Sequence, residues 1–320
     1  EEQGGRADDG SHSGLGETNR RAEPAASHAS CALRYHGPEV RTTPPRRPWS
    51  SCESGTAAHS RSVLRPGGVL AVKHLPIDIE PQPDDVTCGP TCLHAIYRYY
   101  GDELPLSQLV SEVPQLDGGG TLAVLLGCHA LSRGYSATLY TYNLQMFDPT
   151  WWAPGPSPIR ERLLAQLAHK QGRRRIDVAT KAYVEFLDKG GILRFQDLTP
   201  ALIRKYLTAG HPILTGLSAT YLYRTAREYG PDDEYDDIRG EPSGHFVVVS
   251  GYRTGHRTVF VADPLDATPL SEDHHYEVSI DRLIGAILLG IITYDANLLI
   301  LRPKHLRGSH VDTRGRPEQG

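Results

Sequence analysis

An α+β fold is the class this 320-residue sequence predicts, and three observations carry it. Apolar residues recur at helical spacings of three and four through the first half of the apolar region. The second half changes to short β-branched and aromatic runs bounded by Gly, Pro and Asp. The two textures are segregated rather than alternating, which favours helices packed on an antiparallel sheet over a parallel βαβ arrangement.

Cys88 opens the first helical pattern, with Leu93, Ile96, Tyr97 and Tyr100 on one stripe and Gly101 as the stop. Ser107 to Val113 reads as a second helix. A third is expected from Thr121 as N-cap through Arg133, closed by Gly134. Tyr135 to Tyr142 reads as a strand, followed by an aromatic loop containing Phe147, Trp151 and Trp152. Helical spacing returns at Ile159 to Lys170, at Val178 to Leu187, and at Thr199 to Leu207 behind a Thr-Pro cap. The run Arg173 to Arg175 reads as a solvated turn. Strands are then expected at His211 to Leu217, His245 to Tyr252 and Thr258 to Ala262, with Arg253 to Arg257 as the hairpin loop joining the last two. A helix from Ser279 to Leu289 and a strand near Asn297 to Leu301 complete the pattern.

Residues 1–65 hold only five Leu, Ile, Val or Phe but 21 Gly, Pro or Ser. Such a segment cannot bury enough apolar surface to offset its ordering entropy. Residues 1–67 are therefore expected to be a disordered or non-native extension, 68–303 one domain, and 304–320 a flexible tail. Net charge is −4, which argues against a phosphate-backbone partner. The longest apolar run, Leu283 to Ile292, is ten residues, half of the roughly 20 a spanning helix needs. No membrane span and no secretory signal are expected, which makes the cytoplasm the default location. The five cysteines are too few and too unevenly spaced for a disulfide scaffold, so a free thiol is expected, as a buried small hydrophobe or a nucleophile.

The segment Gln82-Pro-Asp-Asp-Val-Thr-Cys88-Gly-Pro-Thr-Cys92 favours the nucleophile. A cysteine in a first helical turn meets unpaired backbone N–H groups and the positive end of the helix dipole, both of which favour thiolate. Attack on a carbonyl creates an oxyanion that needs donors. The backbone N–H of Cys88 supplies one, and the Gln82 side chain a second if its loop folds back. Gly89 leaves the approach to sulfur open. The base and its orienting group are expected at neighbouring strand ends: His245 starts one strand and Asp263 ends the next, and an antiparallel pairing brings them together.

These residues resemble the papain-like cysteine peptidases and, within them, the bacteriocin-leader-processing (double-glycine) peptidases. The resemblance covers most of residues 75–303. Gln82, Cys88-Gly89, Cys92, the strand His245 to Val248 and Asp263-Pro264 match the family pattern in order. The resemblance implies a papain-like fold with nucleophile Cys88, oxyanion donor Gln82, base His245 and orienting Asp263, with Cys92 a helix residue. Thr87 stands where the family often has an acidic residue. No Gly-x-x-x-x-Gly-Lys-Ser/Thr occurs, so a stand-alone form without a transporter ATPase is expected. Ser218 to Ser243, rich in Asp and Glu, is an insertion before the base. With Asn143 to Pro158 it is expected to wall the cleft and favour a cationic or aromatic substrate, unless it is only a solvated loop.

The expected activity is a thiol hydrolase acting on a peptide or isopeptide bond of a peptide or protein substrate, without a cofactor. An amide-forming transferase or ligase on the same residues stays open, as does a papain-like binding module without catalysis. A metal site from Cys88, Cys92 and His94 lacks a fourth ligand. His94, His129 and His211 read as packing or surface histidines, and His274-His275 as a loop. Gly67-Gly68 reads as linker rather than a self-cleavage site.

Overall fold

A computed structural model describes residues 72–116, 119–153, 159–170, 172–293 and 296–304. The expectations for 1–67, for Gly67-Gly68 and for the tail beyond Lys304 lie outside the described residues, as do Cys31 and Cys52. In chain order the elements are β1 (Val72–His74), α1 (Cys88–Tyr99), α2 (Leu106–Glu112), α3 (Ala123–Ser132), β2 (Tyr135–Thr141), α4 (Ile159–His169), α5 (Arg174–Asp188), β3 (Ile192–Arg194) and α6 (Pro200–Thr208). There follow β4 (Ile213–Ser218), α7 (Ala219–Tyr223), β5 (Glu228–Tyr229), β6 (Glu234–Tyr235), β7 (Gly244–Arg253), β8 (Thr258–Ala262), β9 (His275–Ser279), α8 (Ile280–Leu289) and β10 (Asn297–Pro303). The arrangement is α+β: a mostly antiparallel sheet with the Cys88 helix packed on the strand that bears His245.

The main sheet has the order β3-β2-β10-β4-β7-β8-β9, with β1 added to β7. One pair departs from the antiparallel expectation: β2 and β3 run parallel, because α4 and α5 cross over between them. β7 is the organising strand. β4 pairs along its first half, β1 along its last three residues, and β8 along the opposite edge. The β7–β8 register shifts between Val249 and Gly251. At Gly251 a Cβ would lie 2.5 Å from the Lys73 carbonyl oxygen, so β1 approaches this closely only because the side chain is absent.

Several boundaries differ from expectation for local reasons. The Thr121 hydroxyl donates to the Pro114 carbonyl at 2.9 Å rather than capping α3, and Leu122 takes the N-cap position without a side-chain bond. Thr199 and Ser279 do cap α6 and α8, accepting from the amides of Leu202 and Asp281. Arg174 and Arg175 form the first turn of α5 instead of a solvated turn. β9 replaces the expected loop at His275: Tyr276 and Val278 are buried while Glu277 points outward, a two-residue period long enough to pair with β8. The acidic segment is structured, with α7 followed by the β5–β6 hairpin. The aromatic loop turns inward: Phe147 and Trp151 are buried, and Trp152 stacks on Phe195 with ring centroids 5.1 Å apart.

Candidate active site

Cys88 is the first residue of α1, and no side chain caps that turn. The Thr87 hydroxyl is engaged with Asp84, accepting from its amide and donating to its carbonyl. Pro90 removes one N–H from the same turn, and its fixed φ suits the position. Gly89 allows close packing: a Cβ there would sit 2.7 Å from Cγ2 of Thr121 and 3.3 Å from both Leu126 and Phe246. Its role is thus to seat α1 on α3 and β7, more than to clear a path to sulfur. Four residues on, Cys92 is fully buried and its thiol reaches the Phe246 carbonyl at 3.2 Å. Burial pushes the Cys92 thiol well above its usual value, with the charges of Cys88 and Asp263 adding to the effect. Cys88, Cys92 and Cys128 are all free thiols.

The expected pairing of strand ends is present. His245 Nε2 lies 2.8 Å from Asp263 Oδ1, although the two are 18 residues apart. With Nε2 so engaged, Nδ1 is the ring nitrogen left to face Cys88, which shares a cleft with His245 and acts on its charge. Burial, the largest single effect, opposes a charge on His245, but the Asp263 carboxylate and Cys88 together outweigh it. The imidazole is held protonated well above its ordinary range. Asp263 is fully buried yet held below the usual carboxylate range, because His245 and two hydroxyl donors offset its desolvation.

Those hydroxyls belong to residues that sequence reasoning missed. Tyr223 and Tyr276 donate to Asp263 Oδ2 at 2.7 and 2.6 Å. The alternation around Tyr276 signalled an inward residue, but nothing in the sequence told where either hydroxyl would end.

Gln82 is brought to the same corner of the molecule by its backbone: its N–H donates to the carbonyl of Pro264, beside Asp263, at 2.8 Å. Its side chain folds onto its own loop, with Nε2 donating to the Asp84 carbonyl at 2.8 Å and Oε1 buried without a partner. The side-chain amide is thus held on its own loop, and Gln82 is not among the residues that line the cleft holding Cys88 and His245.

A cleft of about 240 Å³ contains Cys88 and His245. Its walls come from Asp85 and Val86, from Leu116, Gly119, Gly120 and Thr121, and from Arg175, Gly244 and Thr293. Neither the acidic insertion nor the described part of the aromatic loop lines it. Backbone bonds pull the insertion against the foot of β7, and the aromatic rings pack into the core. Arg175, read from sequence as part of a solvated turn, is instead a cleft residue. Of the insertion, Glu228 comes near enough to feel His245 and Asp85. Its carboxyl is raised, chiefly by burial, and the Ser243 hydroxyl donates to it at 3.0 Å.

Residues 176–282 match the family model described as "Peptidase_C39 like family". That stretch contains His245 and Asp263 and ends up without Cys88. The chain is similar to C39-like peptidases, in agreement with the motif resemblance. No curated protein matches it. Among solved structures, a double glycine motif protease from an AMS/PCAT transporter, in complex with the leader peptide, matches at 13% identity and TM-score 0.35, over 72% of this chain and 94% of its own. A C39-like peptidase from Bacillus anthracis matches at 14% identity and TM-score 0.40, over 72% and 98%. The peptidase domain of Streptococcus ComA, a bi-functional ABC transporter involved in a quorum sensing pathway, matches at 14% identity and TM-score 0.33, over 71% and 99%. Among the described residues no helix is long and apolar enough to cross a membrane.

Proposed function

We propose that this protein is a cysteine peptidase-like hydrolase that cleaves a peptide or isopeptide bond through an acyl-enzyme on Cys88. The observation that carries the reading is the buried His245–Asp263 pair, hydrogen-bonded at 2.8 Å, in one cleft with a cysteine at an uncapped helix start. An imidazole held protonated beside sulfur stabilises a thiolate there.

The thiolate attacks the substrate carbonyl carbon, and the oxyanion is received by the first-turn N–H of Cys88 and by the Gln82 amide. Gln82 can serve because its Nε2 has two hydrogens and only one is needed by Asp84. His245 then gives its proton to the leaving amine, the C–N bond breaks, and a thioester remains. Water attacks that thioester with His245 taking its proton, and the carboxylic acid leaves. Asp263 stays ionised throughout and holds the ring angle. The small cleft and the glycines at its walls suit an extended peptide with small side chains beside the bond.

Brief treatment with iodoacetamide, followed by peptide mapping, tests the assignment. Cys88 is expected to carry the adduct ahead of Cys92 and Cys128, whose thiols burial holds above their usual value. Preferential labelling elsewhere, or undiminished peptide hydrolysis by Cys88→Ala, removes the proposal.

A further inference from the structure

We propose that Tyr223 and Tyr276 are positioning residues that, through two hydroxyl bonds to one carboxylate oxygen, keep Asp263 an ionised acceptor aimed at His245. The inference rests on the hydrolase reading above and assigns a role to two residues outside its triad.

The two oxygens of Asp263 divide their work. Oδ1 accepts from His245 at 2.8 Å and from the Leu265 amide at 3.0 Å, while Oδ2 accepts from Tyr276 at 2.6 Å and Tyr223 at 2.7 Å. A carboxylate with no exposure would otherwise take up a proton, and a protonated acid cannot support an imidazolium. Both phenols are pushed well above their ordinary value, first by burial and then by the Asp263 charge, so they remain donors wherever the enzyme operates. The backbone of Asp263 is fixed separately. Its N–H donates to the His274 carbonyl at 2.8 Å, and its own carbonyl meets His274 Nδ1 at 3.1 Å, with His274 in the left-handed region at φ 58°. Placement of the carboxylate is thus a backbone matter, whereas its charge depends on the hydroxyls.

The donors arrive from different elements. Tyr276 lies on β9, the strand beside β8, and Tyr223 ends α7 at the entry to the acidic insertion. The exit of that insertion is tied back to α7: Ala219 N–H donates to the Ser243 carbonyl at 3.0 Å, and Ser243 N–H to the Thr220 hydroxyl at 3.0 Å. A segment that reads as a solvated loop therefore delivers a hydroxyl to the site. The titratable groups facing the pair are Cys88 and Cys92 on α1, Glu228 on β5, and Tyr223, Tyr276 and His274 as described.

The test is the pH profile of Cys88 alkylation by iodoacetamide from about pH 4 to 9 in the full chain, for wild type, Tyr223→Phe, Tyr276→Phe and the double variant. Tyr229→Phe on the exposed hairpin serves as control. Losing the donors lets Asp263 protonate earlier on acidification, so the imidazolium loses its support and the thiol keeps its proton to higher pH. The acid limb is expected to move up by at least one unit in the double variant, which reads as about a tenfold slower rate at a pH on that limb. The control is expected to superimpose on wild type. Superimposable profiles for the Tyr223 and Tyr276 variants, with melting temperature lowered or not, overturn the inference alone. Absence of Cys88 labelling in the wild type overturns the hydrolase reading and this inference with it. Should Tyr276→Phe fail to fold, Tyr223→Phe alone carries the test, since its hydroxyl reaches the same oxygen from another element.

Discussion

Among the described residues, two histidines sit between a carboxylate and a second side chain that can share a proton, and we assign chemistry to only one. His245 lies between Asp263 and Cys88. His129 lies between Glu112, 2.9 Å from Nε2, and the Tyr97 hydroxyl, 2.9 Å from Nδ1. Both imidazoles meet a carboxylate through Nε2; the surroundings are not the same. The Asp263 side chain is 0% exposed and that of Glu112 is 40% exposed. Burial also pushes the Tyr97 phenol far up, so it cannot ionise near neutral pH. The second trio is a staple that joins α1, α2 and α3. A carboxylate–imidazole pair becomes a candidate for catalysis when its charge is buried and its third member ionises readily.

The sharpest way to break this comparison is to remove the two carboxylates. Asp263→Ala leaves His245, Tyr223 and Tyr276 facing an empty buried position. It is expected to lower folding stability by about 3–5 kcal/mol, as removal of one partner from a buried pair does. Glu112→Ala is expected to change stability little, because water takes over its bonds. Urea denaturation midpoints read both, and equal losses would refute the contrast. The next largest effect is kinetic. Without its imidazole, Cys88 loses the group that takes its proton, so His245→Ala is expected to slow alkylation at pH 6 by about 10²-fold. His129→Ala is expected to leave the rate unchanged.

A third prediction concerns the helix that carries sulfur. Gly89→Ala would place a methyl 2.7 Å from Thr121 Cγ2, in a contact that also includes Leu126 and Phe246. Overpacking of this kind costs about 1–3 kcal/mol. Since the strain falls one residue from Cys88, the alkylation rate should fall with stability. A variant as stable and as reactive as wild type would show that the glycine is dispensable.

How far the sequence carried the reading depends on which interactions are local. The start of α1 at Cys88, the cap at Thr199 and the bounds of β8 were legible because caps, stops and β-branched runs act over a few residues. The meeting of His245 and Asp263 was legible because antiparallel pairing converts position along two strands into contact. Tyr223, Tyr276 and Arg175 were not, since each reaches the site by a path set by the packing of whole elements. The acidic insertion misled for a related reason. Composition reports how a segment likes water, while the ties at Ala219 and Ser243 that hold it at the foot of β7 are backbone bonds without a compositional signature. The aromatic loop misled in the opposite sense, because large rings fill a core as readily as they line a cleft.

The smallest effect is expected at the pair most easily mistaken for the site. Hydrogen bonds from His129 and then Gln108 lower the Glu112 carboxyl, against little desolvation. A carboxyl lowered in the folded state stabilises it above its unfolded value of about 4.3 and loses that contribution as pH falls through the folded one. His245 is raised, so its contribution is complete below an unfolded value of about 6.5 and fades as pH climbs through the folded one. The two variants should therefore diverge from wild type in opposite pH directions. The stability gap for Glu112→Gln should vanish toward pH 3 and shrink in 0.5 M salt, because an exposed pair is screened. The gap for His245→Ala should be widest below about pH 6.5, narrow on the alkaline side, and change little with salt. A Glu112→Gln gap that resists salt would mean this carboxylate is shielded after all, and the distinction drawn between the two histidines would have to rest on sulfur alone.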